Sequence, residues 1–161
     1  IITKLDSIET IDTIRLHTRL PVVIPQRICP ELLDWVNRCH KKVVFVLHTN
    51  HPNEIDDHVV DAVSALRDAG ATLLNQSVLL RDVNNSPEVL VKLSRRLFDV
   101  GVLPYYLHLL DPVAGARHFD VPEVEGVNLI RQISGQLPGY LVPRLAREIP
   151  GADAKQVIAG Q

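Results

Sequence analysis

The sequence predicts an α/β fold in which a parallel sheet is covered by outer helices. Three observations carry this. Four short apolar stretches, at residues 13–16, 43–47, 72–74 and 103–108, read as buried strands. Their centres lie near Ile14, Phe45, Leu73 and Tyr105, at intervals of 31, 28 and 32 residues. An amphipathic helical pattern fills each interval, which is the signature of βαβ units. The even spacing favours a barrel slightly over an open doubly wound sheet, although short strands buried on both faces suit either. No Gly-x-Gly-x-x-Gly turn follows a strand, which weakens the dinucleotide-binding alternative.

The helices follow in order. Pro30 opens one that carries Leu32, Leu33, Trp35 and Val36. Asn53 is expected to cap the next, whose buried face reads Ile55, Val59, Ala62, Val63 and Leu66. Gly70 ends it as a glycine beyond a helix terminus does. Ser86 and Pro87 begin a third as N-cap and first-turn proline, with Leu90, Leu93 and Leu97 facing inward. A fourth near 121–137 presents Val124, Val127, Ile130, Ile133 and Leu137. Residues 152–161 are weakly patterned and read as a tail.

Composition narrows the function classes. The chain has 161 residues, 46% hydrophobic and 22% charged, enough for a true core. A formal net charge of -2 argues against binding nucleic acid through bulk positive charge. No apolar run reaches the roughly 20 residues that cross a bilayer, and no membrane contact is expected. The opening IITKLDSIET lacks the apolar stretch of a secretion signal, and a cytoplasmic location is expected. Two cysteines, Cys29 and Cys39, make neither a disulfide framework nor a full thiolate set. The absence of Met and the start in mid-pattern at Ile1 read as a piece of a longer protein.

In parallel β/α folds the site lies beyond the C-terminal ends of the strands. Each strand here ends in polar residues: Arg15, His17, Thr18 and Arg19; then His48, Thr49, Asn50, His51, Asn53 and Glu54; then Asn75, Gln76 and Ser77; then Tyr105, Tyr106, His108 and Asp111. Four such clusters in register read as an active-site face. Each has a plainer alternative. His48 and His51 bind a ligand or cap a helix more readily than they form a metal pair. The plainer alternative for Asn75 and Gln76 is that they satisfy loop backbone. Tyr105 and Tyr106 are expected on opposite strand faces. Arg81 and Asp82 read as a surface turn with Asn84 and Asn85. Lys155 is either a solvated tail lysine or, swung back by a turn at Pro150-Gly151, an amine able to bind a carbonyl cofactor.

The segments RLHTRLPVVIPQRI (15–28), HTNHPNE (48–54), LNQSVLLRDVN (74–84), LPYYLHLLD (103–111) and GYLVPRLAREIPG (139–151) resemble the lysine 2,3-aminomutase family of radical S-adenosylmethionine enzymes. The wording RDVN, YYLHLLD and LAREI is most similar to the branch that makes (R)-β-lysine for elongation factor P. The resemblance covers about nine-tenths of the chain, in order. It implies a partial, TIM-like (β/α)6 barrel, of which this chain supplies about strands 3–6. It also implies two regions: β/α units over 1–137, and a C-terminal segment, 138–161, bearing the cofactor lysine. The family's Cys-x-x-x-Cys-x-x-Cys and Gly-Gly-Asp-Pro motifs are not in the chain.

By resemblance, Lys155 is the lysine that carries pyridoxal phosphate. A glycine-rich run usual before it is replaced by Gly151-Ala152-Asp153-Ala154. Asp111 binds the distal ammonium of L-lysine, and Glu148 stands where the aminomutases proper have an aspartate. His48, Asn75 and Gln76 line the S-adenosylmethionine pocket, and Tyr106 lies near both cofactors. The implied reaction is a radical 1,2-amino shift from L-lysine to β-lysine. The ligands of the 4Fe-4S cluster lie outside the chain, no metal site is expected within it, and the chain alone is expected to be inactive. The alternative is a non-catalytic barrel piece that binds a protein. An incomplete barrel leaves open sheet edges, so a homo-oligomer, or association with further chain, is expected.

Overall fold

The computed structural model describes residues 2–160. The strands are β1 (Thr13–Thr18), β2 (Lys42–Leu47), β3 (Thr72–Val78), β4 (Leu103–His108), β5 (Arg144–Arg147) and β6 (Gln156–Ala159). They form one sheet in chain order. The first five run parallel and β6 lies antiparallel to β5. Unbroken chain order is consistent with the wall of a partial α/β barrel, because a doubly wound sheet reverses its order at a switch point.

Six helices accompany the sheet: α1 (Ile2–Asp6), α2 (Leu20–Val23), α3 (Pro30–Arg38), α4 (Asp57–Asp68), α5 (Pro87–Asp99) and α6 (Glu123–Ser134). The strand residues that pack against the helices share one side of the sheet. Val43, Phe45, Leu47 and Leu73 meet Val59, Val63 and Leu66 of α4 and Leu93 and Leu97 of α5. Leu107 and Leu145 meet Leu129, Ile130 and Ile133 of α6. Period-two alternation then sends Arg15, His17, His48, Gln76, Tyr106, His108 and Arg144 to the other side. One face is an apolar core, and the opposite face sets these polar residues among Val44, Val46, Leu74 and Val78.

Several local expectations change. Asn53 does not cap α4. Pro52 first turns the chain through a 3-10 turn, Pro52–Glu54, and the Asp56 side chain then accepts from the Val59 N–H at 2.9 Å. Val124 is 69% exposed, not core. Helix α6 meets the sheet at Gly126, where a Cβ would stand 3.1 Å from the Leu145 side chain. Val124, two residues and about 200° away, is rotated outward. Asn84 is no surface residue: it is fully buried, and its amide donates to the Asn50 and Val78 carbonyls. The weakly patterned tail is strand β6, which pairs with β5 and packs Ile158 and Ala159 against the second core cluster. Gly70, Ser86 and Pro87 take the terminal positions that the sequence suggests.

Candidate active site

The loop after β2 is built by side chains that satisfy backbone. The Asn75 oxygen accepts from the Thr49 N–H at 3.0 Å, and its amide donates to the Thr49 carbonyl and Ser77 Oγ at 3.0 and 2.9 Å. Asn75 and Thr49 are each 1% exposed. Asn75 therefore clamps β2 to β3, and both amide hydrogens and the oxygen are engaged. Glu54 accepts from the Asn50 and His51 N–H groups at 2.7 and 2.8 Å and pairs with Arg19 at 2.6 Å. His51 caps the 3-10 turn, as the capping alternative required.

These clamps leave His48 and Gln76 pointing at the polar face. The His48 Nε2 and Gln76 Oε1 atoms are buried and meet no hydrogen-bonding partner. A buried polar atom without a partner costs about 1–3 kcal/mol. Two of them on adjacent strands mark a place that a polar ligand would satisfy. The His17 and His48 rings meet edge-to-face, 6.0 Å apart.

Strand β4 carries a local irregularity. Its register with β3 shifts so that Asn75 pairs with Pro104 while Gln76 pairs with Tyr106. Tyr105 is the extra residue, as in a bulge. The tyrosines therefore do not separate to opposite faces; their rings lie 4.1 Å apart. A hydrogen bond to Tyr106, with burial, raises the Tyr105 hydroxyl above its ordinary range, and nearby Arg144 and Arg15 only partly oppose it.

The turn at Gly151 (φ +80°) reverses the chain after β5. It brings Lys155 back onto the polar face. Lys155 Nζ donates to Glu148 Oε1 at 2.6 Å, stands 3.2 Å from His108 Nε2, and sits 5.5 Å above the Tyr106 ring centroid. His108 is 5% exposed. Burial, then the Lys155 charge, pushes its imidazole down to about 4, against the pull of Glu148 and Asp111. Burial also lowers His48 and His17, helped by Arg19 and Arg15 respectively.

The charges of Lys155 and Glu148 also bear on His17 of β1. Asp111 is exposed in the loop after β4, close enough for its charge to act on His108. Sequence reasoning named His17 and His108 without giving them roles and missed Arg144. The strand alternation that places Arg144 opposite Leu145 was the available signal, hidden because β5 itself went unrecognised.

Among the described residues no three His, Cys, Asp or Glu side chains gather to hold a metal ion. Among the described residues no helix is long and apolar enough to cross a membrane.

A mostly parallel α/β sheet, cored on one face and carrying a lysine, histidines and tyrosines on the other, is consistent with the wall of a partial α/β barrel. A radical SAM methyltransferase from Sphaerobacter thermophilus has a similar fold, with a TM-score of 0.51 over 73% of this chain and 37% of that one, at 16% identity. No protein-family model matches the chain. Its sequence is 48% identical over 155 residues to the L-lysine 2,3-aminomutase of Escherichia coli K12, covering 96% of this chain and 45% of that one. It is 46% identical to that of Haemophilus influenzae, over 99% and 47%, and 41% identical to that of Clostridium subterminale, over 96% and 37%. The chain belongs to the lysine 2,3-aminomutase family, matching the C-terminal part of its members. It spans less than half the length of these relatives.

Proposed function

We propose that these residues are the substrate and pyridoxal-phosphate part of a lysine 2,3-aminomutase-like isomerase, which converts L-lysine to β-lysine. The carrying observation is Lys155, whose amine is held on the polar face by Glu148 and His108. Pyridoxal phosphate, when bound, supplies a carbonyl that takes up the substrate's α-amino group. The residues fit it: Lys155 would hold it through its amine, and the Tyr106 ring lies beside that amine. S-adenosylmethionine is the ligand we assign to the unpartnered atoms of His48 and Gln76. Asn75 serves that pocket through Thr49. The 4Fe-4S cluster does not fit these residues, since Cys29 and Cys39 are the only thiols.

Asp111 and Glu148 supply the negative charge that selects a diamino acid. The protein's own work is to orient the amine, exclude water and fix the substrate's length. We further read residues 138–161 as the cofactor-bearing segment, the wider structure as a partial (β/α)6 barrel, and its setting as cytoplasmic. β1 pairs on one side only, which supports assembly with further chain or with a second copy. The wording of the 103–111 and 139–151 segments supports a supply of β-lysine to elongation factor P.

The test is direct. The full-length protein, supplied with L-lysine, S-adenosylmethionine, pyridoxal phosphate and a reductant, should release β-lysine, read by mass spectrometry. Turnover of other amino acids with none of lysine would overturn the reading.

A further inference from the structure

Lys155 has two polar partners of different kinds. Glu148 bears a charge, lies on the same hairpin and is about half exposed. His108 is uncharged at neutral pH, lies on β4 and is 5% exposed. A bond to a buried, rigid strand residue fixes direction better than an ion pair between two mobile side chains. The Tyr106 ring closes a third side of the amine, and its centroid is 5.5 Å from that of His108.

We propose that His108 is the positioning residue for the Lys155 amine: its Nε2 accepts a hydrogen bond from Nζ and aims that amine across the polar face toward a carbonyl-bearing ligand. The inference rests on the reading of Lys155 as the cofactor lysine. For Nε2 to accept, the ring proton resides on Nδ1. Every group that faces His108 is accounted for: Lys155 and Glu148 from the hairpin, Asp111 from the following loop, His48 from the end of β2 and Tyr106 on its own strand. Among them only Lys155 stands within hydrogen-bonding distance of Nε2.

When a carbonyl ligand is captured, the amine must first give up a proton. That proton passes to solvent, because the Glu148 carboxylate at 2.6 Å is held in its ionised form and stabilises the ammonium rather than deprotonating it. Nζ then bonds to the carbonyl carbon, the two protons it still carries pass to the carbonyl oxygen, and that oxygen leaves as water. His108 neither gains nor loses a proton in this sequence. It is a holder, not a base.

The experiment uses the full-length protein and free pyridoxal 5'-phosphate. Capture is trapped with borohydride at set times and the modified peptide located by mass spectrometry, across pH 6–9. His108→Phe keeps an apolar ring in a buried site and removes the acceptor; His108→Gln keeps an acceptor. Circular dichroism and the Tm establish that each variant is folded. The expected result is capture at Lys155 slowed about tenfold or more in His108→Phe, at every pH, and restored to within about threefold by His108→Gln. Equal rates in wild type and folded His108→Phe would overturn the positioning role and leave the cofactor lysine standing. Wild-type capture on a lysine other than Lys155 would overturn both. Should His108→Phe not fold, a rate in His108→Gln no better than in Glu148→Gln would overturn the role as well.

Discussion

Lys155 Nζ lies 2.6 Å from Glu148 Oε1, and the two residues sit seven positions apart on one hairpin. The pair forms when β6 folds back on β5. The Lys155 hydrogen bond and charge hold the Glu148 carboxyl below the ordinary glutamate range, with burial opposing them. The sign follows: a depressed carboxylate is fully ionised above its ordinary range, and the pair is lost only as pH falls through the lowered value. Glu148→Gln should cost less than about 1 kcal/mol in a denaturation midpoint, because the pair is half exposed. It should slow turnover of L-lysine about tenfold or more. Unchanged turnover in a steady-state assay would count against a role for the carboxylate.

Lys155→Ala should abolish covalent retention of pyridoxal phosphate. The measurement is the mass of the borohydride-reduced full-length protein. The same mass increment in the variant as in wild type would move the cofactor to another lysine.

Much of this architecture was legible because it depends on local pattern. Apolar runs near Ile14, Phe45, Leu73 and Tyr105 became β1 to β4, and each lies where its spacing put it. Strands β5 and β6 were hidden for a physical reason. Each has only four residues, and their stability comes from tertiary pairing, as with Leu145 opposite Ala159, rather than from composition. The bulge at Tyr105 was equally invisible, since a register shift is a property of two strands. Asn75 and Gln76 looked alike in sequence. The structure separates them: one is locked to the Thr49 backbone and the other carries an unpartnered oxygen.

That separation predicts opposite phenotypes. Asn75→Ala leaves the buried Thr49 N–H without its acceptor, while the Thr49 carbonyl keeps its bond from Ser77 Oγ, and should destabilise the fold by about 2 kcal/mol. Gln76→Ala should cost under about 1 kcal/mol, since its oxygen has no bond to lose. Gln76→Ala should nevertheless weaken S-adenosylmethionine binding in calorimetry. A stable Asn75→Ala variant would show that the clamp is dispensable.

Asp111→Asn places a neutral side chain in an exposed loop after β4. Its Tm should not move by more than about 0.5 kcal/mol equivalent. The KM for L-lysine should rise about tenfold or more, because the distal ammonium loses a counter-charge. A KM matching wild type would sink the assignment.

His108 gives the sharpest pH test. Burial and the Lys155 ammonium hold its imidazole at about 4, and the negative charges of Glu148 and Asp111 do not overcome them. Heteronuclear NMR should find the ring neutral from pH 8 down to about 5, with the proton on Nδ1. In the unfolded chain the same ring titrates near 6.5. Between about 4 and about 6.5 the unfolded state therefore binds the extra proton, and stability must fall as pH falls through that window. His17 and His48 are lowered too and contribute slopes of the same sign. The contribution of His108 is isolated by difference. His108→Phe should flatten the dependence of unfolding free energy on pH by up to about one proton between about pH 4 and pH 6.5. The slope should be unaltered above about pH 7, where the ring is neutral in both states. Parallel curves for the two proteins across the acid window would mean that His108 is not held neutral against Lys155.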